Sequence, residues 1–152
     1  MAVRADATGS AAPDRPATAL RPTAKRQPRI LVADDDHDAA DGLAVLLGLS
    51  DYEAHAVYDG EQALDAAQAF NPDLVILDLG MPVMNGFEAA RRLRQDPLCR
   101  SDLVLVALTG KTRAEDSAEV LLAGFDFHLP KPVDPGELCH LIDGVLSHHR
   151  RG

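Results

Sequence analysis

Three uninterrupted aliphatic runs punctuate the chain: RILVAD at 29–34, DLVILD at 73–78 and LVLVAL at 103–108. Runs this short, with no polar alternation, predict strands covered on both faces, which makes them parallel and central. EAHAVY at 53–58 and DFHL at 126–129 are mixed in character and predict shorter or edge strands. Helical periodicity fills the gaps, over 37–49, 60–70, 86–95, 112–123 ending at Gly124, and 134–147. The last of these opens on Asp134-Pro135, an N-cap followed by proline at the first helical position. Five strands alternating with five helices, joined by right-handed crossovers, predict an α/β fold with a doubly wound, five-stranded parallel sheet. Ligands bind such sheets at the carboxyl ends of the strands, where the strand order reverses.

That rule collects the polar residues that end or follow the strands. Asp34, Asp35 and Asp36 follow the first, Asp78 ends the third, Thr109 follows the fourth and Lys131 follows the fifth, so all gather on one edge. Two like charges ~4 Å apart in a partly buried site repel by about 4 kcal/mol at an effective dielectric near ~20. The acids therefore point apart into water, share a cation, or keep a proton. Hard carboxylate oxygens suit Mg²⁺, which keeps several of its waters and accepts few protein ligands. A divalent ion would offset the repulsion and leave one carboxylate free to attack phosphorus, with Lys131 and the Thr109 hydroxyl contacting phosphoryl oxygens.

Composition narrows the setting. The 152 residues suffice for one domain plus a tail, with 46% hydrophobic residues to build a core. No apolar run approaches the ~18 residues of a membrane span, so no membrane partner is expected. Cys99 and Cys139 show neither metal spacing nor the density of a disulfide scaffold, which predicts reduced thiols in a cytoplasmic protein. A formal charge of −9 disfavours a phosphate backbone as partner, so no nucleic acid is expected. The charge is unevenly spread: residues 1–29 carry six basic and two acidic side chains, net +4, leaving −13 for residues 30–152. Residues 1–28 are rich in Ala, Pro, Arg and Thr and lack apolar periodicity, which predicts a disordered basic tail before a folded domain at 29–148. The tail has no apolar h-region of a secretory signal, and its four prolines oppose an amphipathic transit helix.

The stretches ILVADDD, LVILDLGMPVMNGFEAARRLR, LVALTG and GFDFHLPKP, in this order and at these spacings, resemble the receiver domain of two-component response regulators over roughly residues 29–147. The resemblance implies a flavodoxin-like sheet of order 2-1-3-4-5. It also implies a signalling domain rather than an enzyme, at most phosphorylating itself from small donors and dephosphorylating itself. Asp78 would accept a phosphoryl group from a phosphohistidine on a histidine kinase or histidine phosphotransfer protein. Asp34, Asp35 and Asp78 would hold Mg²⁺ together with the backbone carbonyl of Gly80. Thr109 and Lys131 match the family's switch hydroxyl and its lysine, and a cis Lys131–Pro132 peptide is implied as well. His128 stands where many receivers carry a Tyr or Phe that fills space vacated by the switch hydroxyl. Imidazole gains less from burial and, unperturbed, titrates near pH ~6.5, so a weaker and pH-dependent switch is expected. Phe127 is expected to face the other side of the strand and pack in the core.

Other readings compete at single residues. Asp36 reads as the N-cap of the first helix rather than a ligand. Asp34, Asp36 and Asp38 mimic the start of an EF-hand loop, but Ala39 replaces the needed Gly and Val45 the closing Glu, which excludes calcium binding of that type. An Asp-x-Asp pair after a strand also resembles haloacid-dehalogenase-type phosphatases, in which Asp34 would be the nucleophile. Against it stand Asp38, where that family has Thr or Val, and a chain too short for a cap. A pure interaction module with a vestigial acidic site is opposed by the complete set Asp34, Asp35, Asp78, Thr109 and Lys131. His37, His55, His140, His148 and His149 lack ligand spacing and are expected at the surface, while Gly86 and Gly124 serve backbone geometry. With no effector sequence after HLIDGVLSHHRRG, a stand-alone receiver acting through an unidentified downstream protein is expected. A receiver from a hybrid histidine kinase is the alternative, since GFDFHLPKPVDPGEL resembles those receivers.

Overall fold

The computed structural model describes residues 27–81, 83–110 and 114–151; apart from Gln27 and Pro28, the expected tail lies outside the described residues. The elements run β1 (Arg29–Ala33), α1 (His37–Leu49), β2 (Glu53–Val57), α2 (Gly60–Phe70), β3 (Leu74–Asp78), α3 (Gly86–Gln95), β4 (Val104–Thr109), α4 (Ala114–Ala123), β5 (Phe127–Pro130) and α5 (Pro135–Arg151). All strand pairs are parallel and their order is β2-β1-β3-β4-β5. The chain goes outward from β1 to β2, then returns to place β3 on the other flank of β1. The reversal therefore falls between β1 and β3, whose ends carry Asp34 and Asp78.

Alternation along the strands sorts the core into two layers. Leu31, Ala33, Val75, Leu77, Leu105 and Ala107 face α2, α3 and α4, while Ile30, Val32, Leu74, Ile76, Val104, Val106 and Leu108 face α1 and α5. Each of these side chains is buried, and each large one contributes about 1.5–3 kcal/mol relative to exposure. Helix starts are set by short acceptor side chains that satisfy otherwise unpaired amides. Asp36 accepts from Ala39 N–H, Asp59 from Gln62 N–H, Asn85 from Glu88 N–H and Asp134 from Gly136 N–H. Asp36 is thus the expected cap. Helix α5 begins at Pro135 as expected but continues to Arg151 rather than stopping at 147.

Two local features complete the frame. Gly124 ends α4 at φ +103°, a left-handed conformation in which a side chain would also meet Arg94. Arg94 fixes this turn from α3 by donating to Gly124 O at 2.8 Å and to Asp126 Oδ2 at 2.6 Å. Phe127 departs from expectation. It shares its side of β5 with Leu129 and so faces α5, but it remains 37% exposed, and the buried aromatic of this segment is Phe125. Phe127 lines an open groove against α5 together with His140, Leu141, Gly144 and Val145, which leaves part of its ring in solvent.

Candidate functional site

Strand register brings the polar residues together. Ala33 lies opposite Leu77, so the next residues, Asp34 and Asp78, emerge side by side. Both continue rows that face α1 and α5, the Ile30–Val32 row in β1 and the Leu74–Ile76 row in β3. Asp78 lies opposite Leu108, the residue before Thr109, and Lys131 N–H donates to Thr109 O at 2.8 Å. Asp34, Asp78 and Thr109 are all buried. A single cation reaches both acids: Lys131 Nζ is 3.1 Å from Asp34 Oδ2 and 3.2 Å from Asp78 Oδ2.

The remaining oxygens are held by backbone. Asp34 Oδ1 accepts from Asp36 N–H at 3.0 Å, and Asp78 Oδ1 accepts from Gly80 N–H at 3.2 Å. Asp34 Oδ2 is fully buried and has no aligned hydrogen-bond donor, only the ionic contact with Lys131. Burial therefore pushes the Asp34 carboxyl above its ordinary value of 3.8, with Asp36 N–H and Lys131 offsetting this in part and Asp78 adding to it. Burial alone would lower the Lys131 ammonium, but Asp34 and Asp78 outweigh it and hold the lysine above its usual range. Lys131 stays charged at neutral pH.

Asp34, Asp35 and Asp78 can each place one carboxylate oxygen within 4.8 Å of the others, with Asp35 exposed and the other two buried. This donor set fits a hard divalent cation: it is all oxygen, one of its members has a buried oxygen short of donors, and its outer member opens to solvent, where bound waters can remain. Asp36, as an N-cap, is not part of it. Thr109 Oγ1 donates to Leu129 O at 3.4 Å, which ties the expected switch hydroxyl to β5 next to the exposed His128. Gly80 contributes its N–H to Asp78. The Lys131–Pro132 peptide is cis, as the resemblance implied.

The loop after Asp78 is built to pass close by it. A Cβ at Gly86 would lie 2.6 Å from Asp78 O and 2.8 Å from Leu79 Cα, so only glycine lets α3 start against the strand end. Val83, in the same loop, is 77% exposed and has φ 68°, a left-handed conformation that strains a β-branched residue. Sequence reasoning did not single out Val83. Nor did it find the groove of about 640 Å³ beside Lys131, walled by Ala39, Leu43 and Leu46 of α1 and by Pro132 and Val133.

A family model described as response regulator receiver domain matches residues 30–143. The DNA-binding response regulator MtrA of Mycobacterium tuberculosis strain H37Rv is 42% identical over 118 residues, which cover 78% of this chain and 50% of MtrA. Chemotaxis response regulator CheY4 of Vibrio cholerae superposes with a TM-score of 0.73 at 29% identity, over 78% of this chain and 98% of CheY4. The receiver domain of a signal transduction histidine kinase from Syntrophus aciditrophicus gives a TM-score of 0.74 at 28% identity, over 82% of this chain and 94% of that domain. The chain spans about half the length of the curated relatives it matches. One expectation is corrected here. The acidic net charge was read as excluding nucleic acid, yet MtrA is a DNA-binding response regulator. Charge counted over a stretch matching half of such a protein does not bound what the whole protein contacts. Among the described residues no helix is long and apolar enough to cross a membrane. With the receiver-domain model matching residues 30–143 and a parallel sheet of order β2-β1-β3-β4-β5 shared with receiver structures such as CheY4, the chain belongs to the response regulator receiver-domain family.

Proposed function

We propose that this domain accepts a phosphoryl group on Asp78 from a phosphohistidine of a histidine kinase or phosphotransfer protein, in a Mg²⁺-dependent reaction in the cytoplasm, and thereby switches a protein-binding face. The observation that carries this reading is the position of the Asp78 carboxylate. It sits at the end of a central strand with Oδ2 3.2 Å from Lys131 and with Asp34 and Asp35 within reach of a common cation. In the transfer, an Asp78 oxygen attacks phosphorus, the donor's P–N bond breaks, and the imidazole leaves and takes a proton from solvent. Lys131 then has a phosphoryl oxygen to pair with in place of a carboxylate. Asp34, Asp35, Asp78 and the Gly80 carbonyl would hold the ion. Bound Mg²⁺ would supply charge neutralisation among the acids and on the transferring group.

Two further features support the reading. The groove between α1 and Pro132–Val133 opens beside Lys131 and gives a donor protein an apolar surface next to the acceptor. Thr109, bonded to Leu129 O by a long 3.4 Å contact, has a hydroxyl free to exchange that weak partner for a phosphoryl oxygen. His128 is the adjacent residue through which β5, α4 and α5 would respond. The test uses phosphoramidate as a P–N donor: the wild-type chain should take up phosphate with Mg²⁺ and not with EDTA, and Asp78→Asn should take up none. Uptake by Asp78→Asn equal to wild type would refute the assignment.

A further inference from the structure

The acid loop is braced by side chains outside the site just described. His37, the first residue of α1, lies flat on Tyr58 with ring centroids 3.8 Å apart and an interplanar angle of 17°. The Tyr58 hydroxyl donates to Asp41 Oδ1, one turn further along α1, at 2.6 Å. Tyr58 is itself held from behind: its N–H donates to Gln62 Oε1 at 2.9 Å, and Gln62 N–H donates to the α2 cap Asp59 at 2.8 Å. Just after β1, Asp34 N–H donates to the carbonyl of Val57, the residue before Tyr58, at 3.1 Å. Asp34, His37 and Asp41 are thereby tied at three points to Val57 and Tyr58, with Asp35 and Asp36 between the first two ties. Asp34 is buried and fixed by Asp36 N–H and Lys131, whereas Asp35 is exposed and has only the backbone on either side to orient it.

We propose that the His37–Tyr58–Asp41 clamp positions Asp35 for the divalent cation by fixing the start of α1 against the β2–α2 connection, with His37 acting as a stacking surface. This rests on the site reading above. A carboxylate on a loop that is free to rotate must be ordered when the ion binds, and that entropy is subtracted from affinity. A loop ordered beforehand avoids this cost. The aromatic stack supplies the order without adding a ligand. A second stack of the same kind, His55 on Phe70 at 4.5 Å and 8°, joins the middle of β2 to the end of α2. It provides a matched control for loss of a His–aromatic contact.

The experiment measures Mg²⁺ affinity calorimetrically on the full chain, beside amide hydrogen exchange of residues 37–41 in EDTA. His37→Ala should weaken Mg²⁺ binding about tenfold, the size typical of losing a group that orients a ligand, and should speed exchange in that segment. His37→Phe should restore both, because it keeps a flat ring. His55→Ala should leave Mg²⁺ affinity unchanged, and phosphate uptake at saturating Mg²⁺ should be alike in all four proteins. Unchanged affinity in His37→Ala overturns the clamp while leaving the site reading intact. Failure of His37→Phe to restore affinity overturns the stacking role, and an equal loss in His55→Ala reduces the effect to general destabilisation and overturns it as well. A wild-type chain that binds no Mg²⁺ refutes the site reading and the clamp together.

Discussion

Lys131 Nζ lies 3.1 Å from Asp34 Oδ2, a fully buried oxygen with no aligned donor of its own. Without a divalent ion, this ammonium is the counter-charge for both buried acids. Lys131→Met should therefore destabilise the metal-free protein by about 2 kcal/mol, less than a fully buried pair would cost because a third of the lysine side chain meets water. Adding Asp34→Asn should recover much of that loss, since the stranded charge is removed. Denaturant titrations in EDTA check this; additive losses in the double variant would show that the two residues are not coupled.

The raised Asp34 carboxyl sets a pH dependence. The folded state binds this proton more tightly than the unfolded chain, so the group's contribution to stability is complete below its ordinary value of 3.8 and is lost as pH rises through the folded value. Asp34→Asn has nothing to lose there. In EDTA, its stability relative to wild type should grow as pH rises from about 4 to 7 and be smallest at the acid end. A gap that narrows over that range would contradict burial as the cause.

The fold was legible because the central strands carry continuous aliphatic runs, and those runs end in Asp34, Asp78 and Thr109, so element ends and site residues were fixed by the same boundaries. Phe127 shows where that reading stops. Alternation gave its side of β5 correctly but not its burial, which depends on how closely the distant α5 packs over that strand. His37 and Tyr58 were invisible for a similar reason. Each is an ordinary surface residue in its own segment, and only the pairing of β1 with β2 brings the two rings together. Net charge misled about nucleic acid because MtrA, 42% identical over the matched stretch, is a DNA-binding response regulator.

Val83 offers a test of strain in the loop after Asp78. At φ 68° and 77% exposed, it has backbone strain and little burial to lose. Val83→Gly should raise stability by about 1 kcal/mol after the entropy of glycine is counted. That corresponds to several degrees in Tm for a domain of this size, roughly 3–5 °C. A lower Tm would mean that the valine side chain makes contacts that outweigh the strain.

Thr109 and His128 are the proposed switch residues, and their roles separate experimentally. Beryllofluoride, a stable mimic of the phosphoryl group, should slow amide exchange in β5 and α5 of the wild type. Thr109→Val should still bind the mimic yet lose that response, because the hydroxyl is the link to β5. His128→Tyr should enlarge the response, since a phenol ring buries more area than imidazole. Identical exchange changes in all three proteins would remove both residues from the switch.

The most direct measurement is reductive trapping of the acyl phosphate. The chain is treated with phosphoramidate and Mg²⁺, then with borohydride, which converts a phosphorylated aspartate to homoserine, and the peptides are sequenced by mass spectrometry. Homoserine at position 78 alone, absent when EDTA replaces Mg²⁺, is the predicted result; homoserine at position 34 or 35, or at 78 regardless of EDTA, would contradict it.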